Sequence, residues 1–309
     1  MIGNWVNYYK SADYKIPVSA YYGESRRFSK EYSNDFKEIH KMYEVSFSPN
    51  KKEEYKAIGL FKTDGDKAWG TFATETGDYR YLEGNVVDDS LFLSTFDGSH
   101  AFLFEAKIEG DSLKGMFYSG THFKEDWIAF KNNSFQLSNP DSLTFSNTNK
   151  IELELPNYKD SLININSDFF NSKVKLVQIM GSWCPNCLDE SNYYTSLYNK
   201  YKEQGLEIIA VAFERTKNKE SALFNLKKLK EKTSANYTFL LGGSTREDNP
   251  LDVFPMLNHI MSYPTTIYLN RENEIVKVHT GFYGPSTAKL FENYKKETED
   301  FIEKLLLEK

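Results

Sequence analysis

Apolar and polar positions alternate through Lys67 to Phe72 and His100 to Phe104, and DG, TG, EG and SG pairs interrupt residues 60–118 at roughly ten-residue intervals. Alternation of period two puts one strand face in a core and the other in water. With glycine turns between such strands, the pattern predicts an antiparallel sandwich or an up-and-down barrel over residues 1–137. Only residues 29–40 predict a short helix there. In residues 131–150, eleven of twenty positions are Ser, Thr or Asn, which predicts a linker over 138–150.

Beyond it the pattern changes. KVKLVQIMGSW (residues 173–183) and LEIIAVAFE (206–214) are near-continuous apolar runs, as expected for strands covered on both faces. Between them the spacing predicts a helix from Pro185 to about Gln204, stopped by Gly205. A second helix is expected over 219–232, then a strand at YTFLLG, a short helix over 251–262, and paired strands at PTTIYLN and EIVKVHTG. A last helix over 286–307 carries an apolar stripe of Leu290, Tyr294, Phe301 and Leu305. A short hairpin over 153–165 precedes these elements. The order predicts an α/β domain over 151–309, with a mixed, mostly parallel central sheet flanked by helices.

The 309-residue chain carries a net charge of −6, which lacks the basic footprint of a nucleic-acid partner. It has no run of 18 apolar residues, so no helical membrane span is expected. The 23 Phe and 21 Tyr suit sheet-rich packing. The start, MIGNWVNYYK, lacks the basic-then-apolar pattern of a signal peptide.

Both cysteines of the chain lie in Gly181-Ser182-Trp183-Cys184-Pro185-Asn186-Cys187. A bridge across so short a loop removes little chain entropy, so a purely structural role is weak. The motif falls where a buried strand ends and a helix begins. Unpaired amides and the positive end of the helix dipole there stabilise a thiolate, the nucleophile of disulfide exchange. Pro185 suits the first turn, which needs no backbone N–H, and Cys187 lies on the same helix face as Cys184. One cysteine attacks and the other resolves the mixed disulfide. Half a zinc site and a pair of inert buried thiols are the competing readings. Closed zinc sites need four ligands, however, and the five histidines show no ligand spacing.

KVKLVQIMGSWCPNCLDE, LEIIAVAFE and SYPTTIYLN together resemble the thioredoxin superfamily, and more narrowly the TlpA/ResA-type thiol–disulfide oxidoreductases. The resemblance implies that Cys184 and Cys187 form a redox-active disulfide and that no other cofactor is needed. It implies a cis peptide bond before Pro264, facing the cysteines. The backbone of Tyr263 is then free to pair with an extended client segment, and Trp183, Pro185 and Asn186 complete the client-binding surface. Glu190 matches an acid that the family places three residues after the second cysteine, where it exchanges a proton with the buried thiol. The other reading of Glu190 is a solvated first-turn acid, and Asp189 is expected to be such a residue. Pro-Asn between the cysteines offers no histidine to stabilise the thiolate further, which favours a reductant. The expected partners are protein thiol or disulfide clients and a membrane electron donor of the thioredoxin-relay type. The expected location is the periplasm or cell envelope, with the signal or lipid anchor absent from this chain. Cytochrome c maturation is a client pathway common in the family.

GTFATETGDYRYLEG and STFDGSHAFLFEA resemble the β-rich segment that precedes the thioredoxin domain in envelope oxidoreductases of Bacteroides-like bacteria. Tyr79, Arg80, Tyr81, Asp97, His100 and His122 are candidates for a binding face there; the alternative is turns and core aromatics. Two further functions compete with the oxidoreductase. One is a peroxidase, whose Pro-x-x-x-Thr-x-x-Cys pattern residues 176–187 do not match. The other is a binding or sensor protein with a vestigial cysteine pair.

Overall fold

The computed structural model describes all residues except 8–10, 12, 23–26, 29–35 and 309. The chain divides into two compact units, one of residues 1–72 and 81–136, the other of residues 73–80 and 137–309.

The first unit opens with a two-stranded sheet of β1 (Ile2–Val6) and β2 (Lys15–Ser19). Then come β3 (Met42–Phe47), β4 (Tyr55–Asp64) and β5 (Lys67–Thr74), whose last two residues belong to the second unit, as does the two-residue β6 (Gly77–Asp78). β7 (Leu82–Val87), β8 (Ser90–Phe96), β9 (Ala101–Glu109), β10 (Ser112–Ser119) and β11 (Phe123–Lys131) complete it. Each of β3, β4, β5 and β7 to β11 pairs antiparallel with the next, β4 pairs with β5, and β11 returns to β3. The two architectures expected from the sequence thus resolve to a closed up-and-down barrel. Three hairpins turn on two residues whose first has positive φ, at Gly65 (58°), Asp88 (54°) and Gly110 (60°), which matches the twist of the flanking strands. Alternate buried positions fill the barrel with rings: Phe72 lies 4.6 Å from Phe104 and Phe104 lies 4.4 Å from Phe117, centroid to centroid, beside Phe47 and the fully buried Trp127. Of the helix expected over 29–40, residues 29–35 lie outside the described residues. Residues 36–40 are not helical, and Phe36 instead bridges to Asp88.

In the second unit a hairpin of β12 (Glu154–Pro156) and β13 (Leu162–Asn164) precedes β14 (Val174–Met180), α1 (Pro185–Tyr201), β15 (Leu206–Glu214) and α2 (Lys219–Lys232). β16 (Thr238–Ser244), α3 (Pro250–Val253), β17 (Thr265–Leu269), β18 (Ile275–Thr280) and α4 (Lys289–Leu307) follow. The sheet runs β16-β15-β14-β17-β18, with the first three strands parallel and the last two antiparallel to their neighbours. It is therefore more evenly mixed than expected, and it has the thioredoxin-like arrangement that the resemblance implies. Burial of both faces explains the near-continuous apolar run of β14. Val174, Leu176 and Met180 pack toward α1, α2 and α4, while Val177 and Ile179 pack toward Ile151, Ile165 and Leu257 on the other face. Gln178 falls on the helix-covered face, a polar residue in an apolar layer.

Two sequence expectations need correction. The helix over 251–262 ends at Val253, because Pro255 excludes the α conformation for Phe254 (φ −119°, ψ 59°). Residues 138–150 do not form a free linker. Asp141 pairs with His279 at 2.6 Å and Lys277 at 2.8 Å, Thr144 is buried against Thr280, and Ser146 bridges to Leu257. Their polar side chains hydrogen-bond to the second unit and not only to water.

Candidate active site

Cys184 is the N-cap residue of α1 and Pro185 its first helical residue. The Cys187 amide donates to Cys184 Sγ at 3.2 Å, which satisfies one of the helix's open donors with sulfur. The loop that delivers Cys184 is fixed from β15. Trp183 Nε1 donates to the Phe213 carbonyl at 2.9 Å, and Ser182 donates through its amide (2.9 Å) and hydroxyl (2.7 Å) to the buried Glu214 carboxylate. A Cβ at Gly181 would stand 2.4 Å from Trp183 Nε1, so the indole can fold back only over glycine. The Arg215 guanidinium lies 3.9 Å above the Trp183 ring. The sequence pointed to neither Glu214 nor Arg215; an acid ending an otherwise apolar strand was the available signal for the first.

Cys184 and Cys187 form a disulfide with Cα atoms 5.2 Å apart. Cys184 is 6% exposed and Cys187 is fully buried, so of the two only Cys184 keeps any exposure to solvent. The Tyr263–Pro264 bond is cis, as the resemblance implies. It brings the Tyr263 carbonyl oxygen to 3.5 Å from Cys184 Sγ, while the Tyr263 ring stands edge-on to Trp183 at 5.6 Å. Trp183, Tyr263, Pro185 and Asn186 are all partly exposed around the bridge.

Glu190 is fully buried, not a solvated first-turn acid. One carboxylate oxygen accepts from Gln178 Nε2 at 2.7 Å and the other from the Tyr294 hydroxyl at 2.8 Å. Burial pushes its pKa up to about 7, against hydrogen bonds from Tyr294, Gln178 and Tyr194 that pull it down. It shares a face of α1 with Cys187, one turn earlier. In the sequence Tyr294 is marked only by its place in an apolar helix stripe, and nothing singles out Gln178.

Asp189, expected to be solvated, is held by two guanidinium nitrogens of Arg80, Nε and Nη2, at 2.8 and 3.0 Å. The Asp78 carbonyl accepts from Asn186 Nδ2 at 3.1 Å. The buried Asp78 carboxylate accepts from the Gly284 amide (2.5 Å), the Ser286 hydroxyl (2.8 Å) and the Arg80 amide (2.5 Å). Burial raises its pKa against those bonds. Thr76 passes so near Gly281 (φ 79°) that a Cβ there would meet its backbone at 2.6 Å. Residues 77 and 78 thus lie against Asn186, one of the two residues between the cysteines, a juxtaposition the spacing of the sequence did not reveal. Of the other candidates, Asp97 accepts from the amides of Ser99 and His100, making a local turn, and His122 bonds to the Tyr14 hydroxyl at 3.0 Å.

Residues 145–294 match the Redoxin family. The chain is 35% identical over 101 residues to the thiol-disulfide oxidoreductase ResA of Halalkalibacterium halodurans, covering 33% of this chain and 50% of that protein. It is 33% identical over 101 residues to ResA of Bacillus subtilis, covering 33% and 49%. The chain therefore spans about half the length of these curated relatives. Among solved structures it is similar to a thioredoxin-family thiol:disulfide interchange protein of Chlorobium tepidum, with 14% identity, a TM-score of 0.40 and coverage of 52% of this chain and 96% of that one. It is likewise similar to the thioredoxin domain of a Bacteroides vulgatus thiol-disulfide oxidoreductase, with 20% identity, a TM-score of 0.36 and coverage of 48% and 97%. On the matched sequence and the sheet order together, residues 145–294 form a TlpA/ResA-like domain of the thioredoxin superfamily.

Proposed function

We propose that the protein is a thiol–disulfide oxidoreductase that reduces disulfides of protein clients in the cell envelope. The observation that carries this is the bridged pair at the N-terminus of α1: Cys184 slightly exposed, Cys187 fully buried, and a buried carboxyl group one turn behind. In the dithiol form, the α1 amides and dipole favour the Cys184 thiolate. That thiolate attacks a client disulfide, bonds to one client sulfur and releases the other as a thiolate. Cys187 passes its proton to the Glu190 carboxylate, and the resulting thiolate attacks Cys184 Sγ. The Cys184–Cys187 bond forms, the second client thiolate leaves, and the client has gained two electrons from the protein. Cis-Pro264 leaves the Tyr263 backbone open to an extended client segment. Trp183, Pro185 and Asn186 border that path. A membrane donor of the thioredoxin-relay type, acting by dithiol exchange, restores the dithiol.

Replacing Cys187 with serine tests this by removing the resolving thiol. Cys187→Ser is expected to accumulate reductant-sensitive mixed disulfides through Cys184 when expressed in an envelope compartment, and Cys184→Ser is not. Equal capture by both variants, or by neither, sinks the proposal.

A further inference from the structure

Glu190 lies at the end of a line of hydroxyls. Tyr294 donates to it at 2.8 Å, the Tyr194 hydroxyl lies 3.2 Å from that of Tyr294, and Thr266 Oγ1 lies 2.9 Å from that of Tyr194. Residues from three elements meet here: α4, α1 and β17. All three side chains are buried. On the other carboxyl oxygen the arrangement is fixed. Gln178 presents its amide NH2 to Glu190 while its carbonyl faces the Ser191 hydroxyl at 3.4 Å. That oxygen can only accept, so a proton on Glu190 belongs on the oxygen facing Tyr294.

A carboxylate there needs Tyr294 to donate; a carboxylic acid needs Tyr294 to accept. A single isolated tyrosine would satisfy one state and leave a buried donor stranded in the other, at a cost comparable to a lost hydrogen bond. The chain moves that conflict away from the carboxyl group, to the Thr266 hydroxyl at its far end. With Glu190 ionised, Thr266 donates to Tyr194, Tyr194 to Tyr294, and Tyr294 to the carboxylate. With Glu190 protonated, each hydroxyl rotates and the direction reverses, from Glu190 through Tyr294 and Tyr194 to Thr266. No heavy atom has to move. We infer that Tyr294, Tyr194 and Thr266 are positioning residues: a reversible hydroxyl relay that lets the buried Glu190 take up and release the proton of Cys187 while the hydroxyls next to it keep both a donor and an acceptor, the one unpaired hydrogen of the protonated state being passed to Thr266. This rests on the role proposed above for Glu190.

The groups facing Glu190 support the assignment. They are Tyr193 and Tyr194 of α1, Tyr237 before β16, Tyr268 of β17 and Tyr294 of α4, with Cys187 on its own helix face. Burial raises all five phenols above their usual value, so they remain neutral donors while Glu190 titrates. No lysine or arginine is among the charges acting on it.

The test titrates the carboxylic-acid carbonyl band of Glu190 by infrared difference spectroscopy in the disulfide form, with Glu190→Gln assigning the band. The wild-type midpoint is expected near pH 7. Tyr294→Phe keeps the ring and removes the donor, and its midpoint is expected to rise by about one unit. Thr266→Val, two hydroxyls away, is expected to shift it in the same direction by less. An unmoved midpoint in Tyr294→Phe overturns the inference. A shift there with none in Thr266→Val reduces the relay to one hydrogen bond and also overturns it. The pH profile of mixed-disulfide resolution separates this from the underlying reading. An unchanged profile in Glu190→Gln refutes the role of Glu190 itself. A changed profile there, with Tyr294→Phe identical to wild type, refutes the relay alone.

Discussion

Each unit buries a carboxylate that accepts hydroxyl hydrogen bonds, and the two differ in what stands behind those hydroxyls. Glu125 on β11 accepts from Ser48 and Tyr55, both at 2.8 Å, in a barrel whose interior is mainly aromatic and aliphatic side chains and which contains no cysteine. Glu190 accepts from an amide and from a tyrosine that leads to two further hydroxyls, and it follows the buried, disulfide-bonded Cys187 by one helical turn. Both carboxylates are satisfied, as buried polar groups must be. Only the second stands one helical turn from a paired cysteine and at the end of a line of hydroxyls. Burial and hydrogen bonding alone therefore do not distinguish the two acids; in the relay proposed above, their surroundings do.

The sharpest break in the comparison comes from the cysteines. Cys184→Ser is expected to reduce client disulfide reduction to the uncatalysed background in a turnover assay, with the fold of both units kept by circular dichroism. Phe104→Ala in the barrel is expected to do the reverse. It removes about 3–5 kcal/mol from the stability of the first unit in urea unfolding, while the activity of the folded fraction is unchanged.

Glu190 gives a pH-dependent prediction with a definite sign. Its pKa is about 7 in the folded protein against 4.5 in an unperturbed chain, so the folded state binds more protons between those values. The stability it contributes is complete below pH 4.5 and is lost as pH rises to 7, by roughly 3 kcal/mol. Denaturant unfolding at pH 5 and pH 8 is expected to show that decline in wild type and not in Glu190→Gln. The smallest effect concerns Arg80 and Asp189. Arg80→Ala and Asp189→Ala each cost about 1–2 kcal/mol, and the double variant less than their sum, in a double-mutant cycle on unfolding of the second unit. Additive losses would mean that the pair does not act as one contact.

Much of this was legible in the sequence for reasons that are local. The near-continuous apolar run of β14, the proline opening α1 and the glycine ending its last turn each reflect a short-range rule. The cysteine spacing and the proline before Thr265 were informative because their chemistry is specific to few arrangements. Contacts across long separations were not legible. Arg80 reaches Asp189 and Asp78 reaches Gly284 and Ser286 over more than a hundred residues, so composition could not distinguish Asp189 from a solvated acid. Tyr294 matched an apolar helix stripe because a tyrosine has an apolar body, and only the fold shows where its hydroxyl points. The polar stretch 138–150 was misjudged on composition: serine and asparagine serve packed irregular backbone as well as free linkers.

The central claim is that the Cys184–Cys187 pair is a reductant, and its reduction potential tests that most directly. Equilibration of the protein with thiol redox buffers at neutral pH, read by the fraction of free thiol, is expected to give a value near or below about −230 mV. A value above about −150 mV belongs to oxidants and isomerases, and it would contradict the direction of electron flow proposed here.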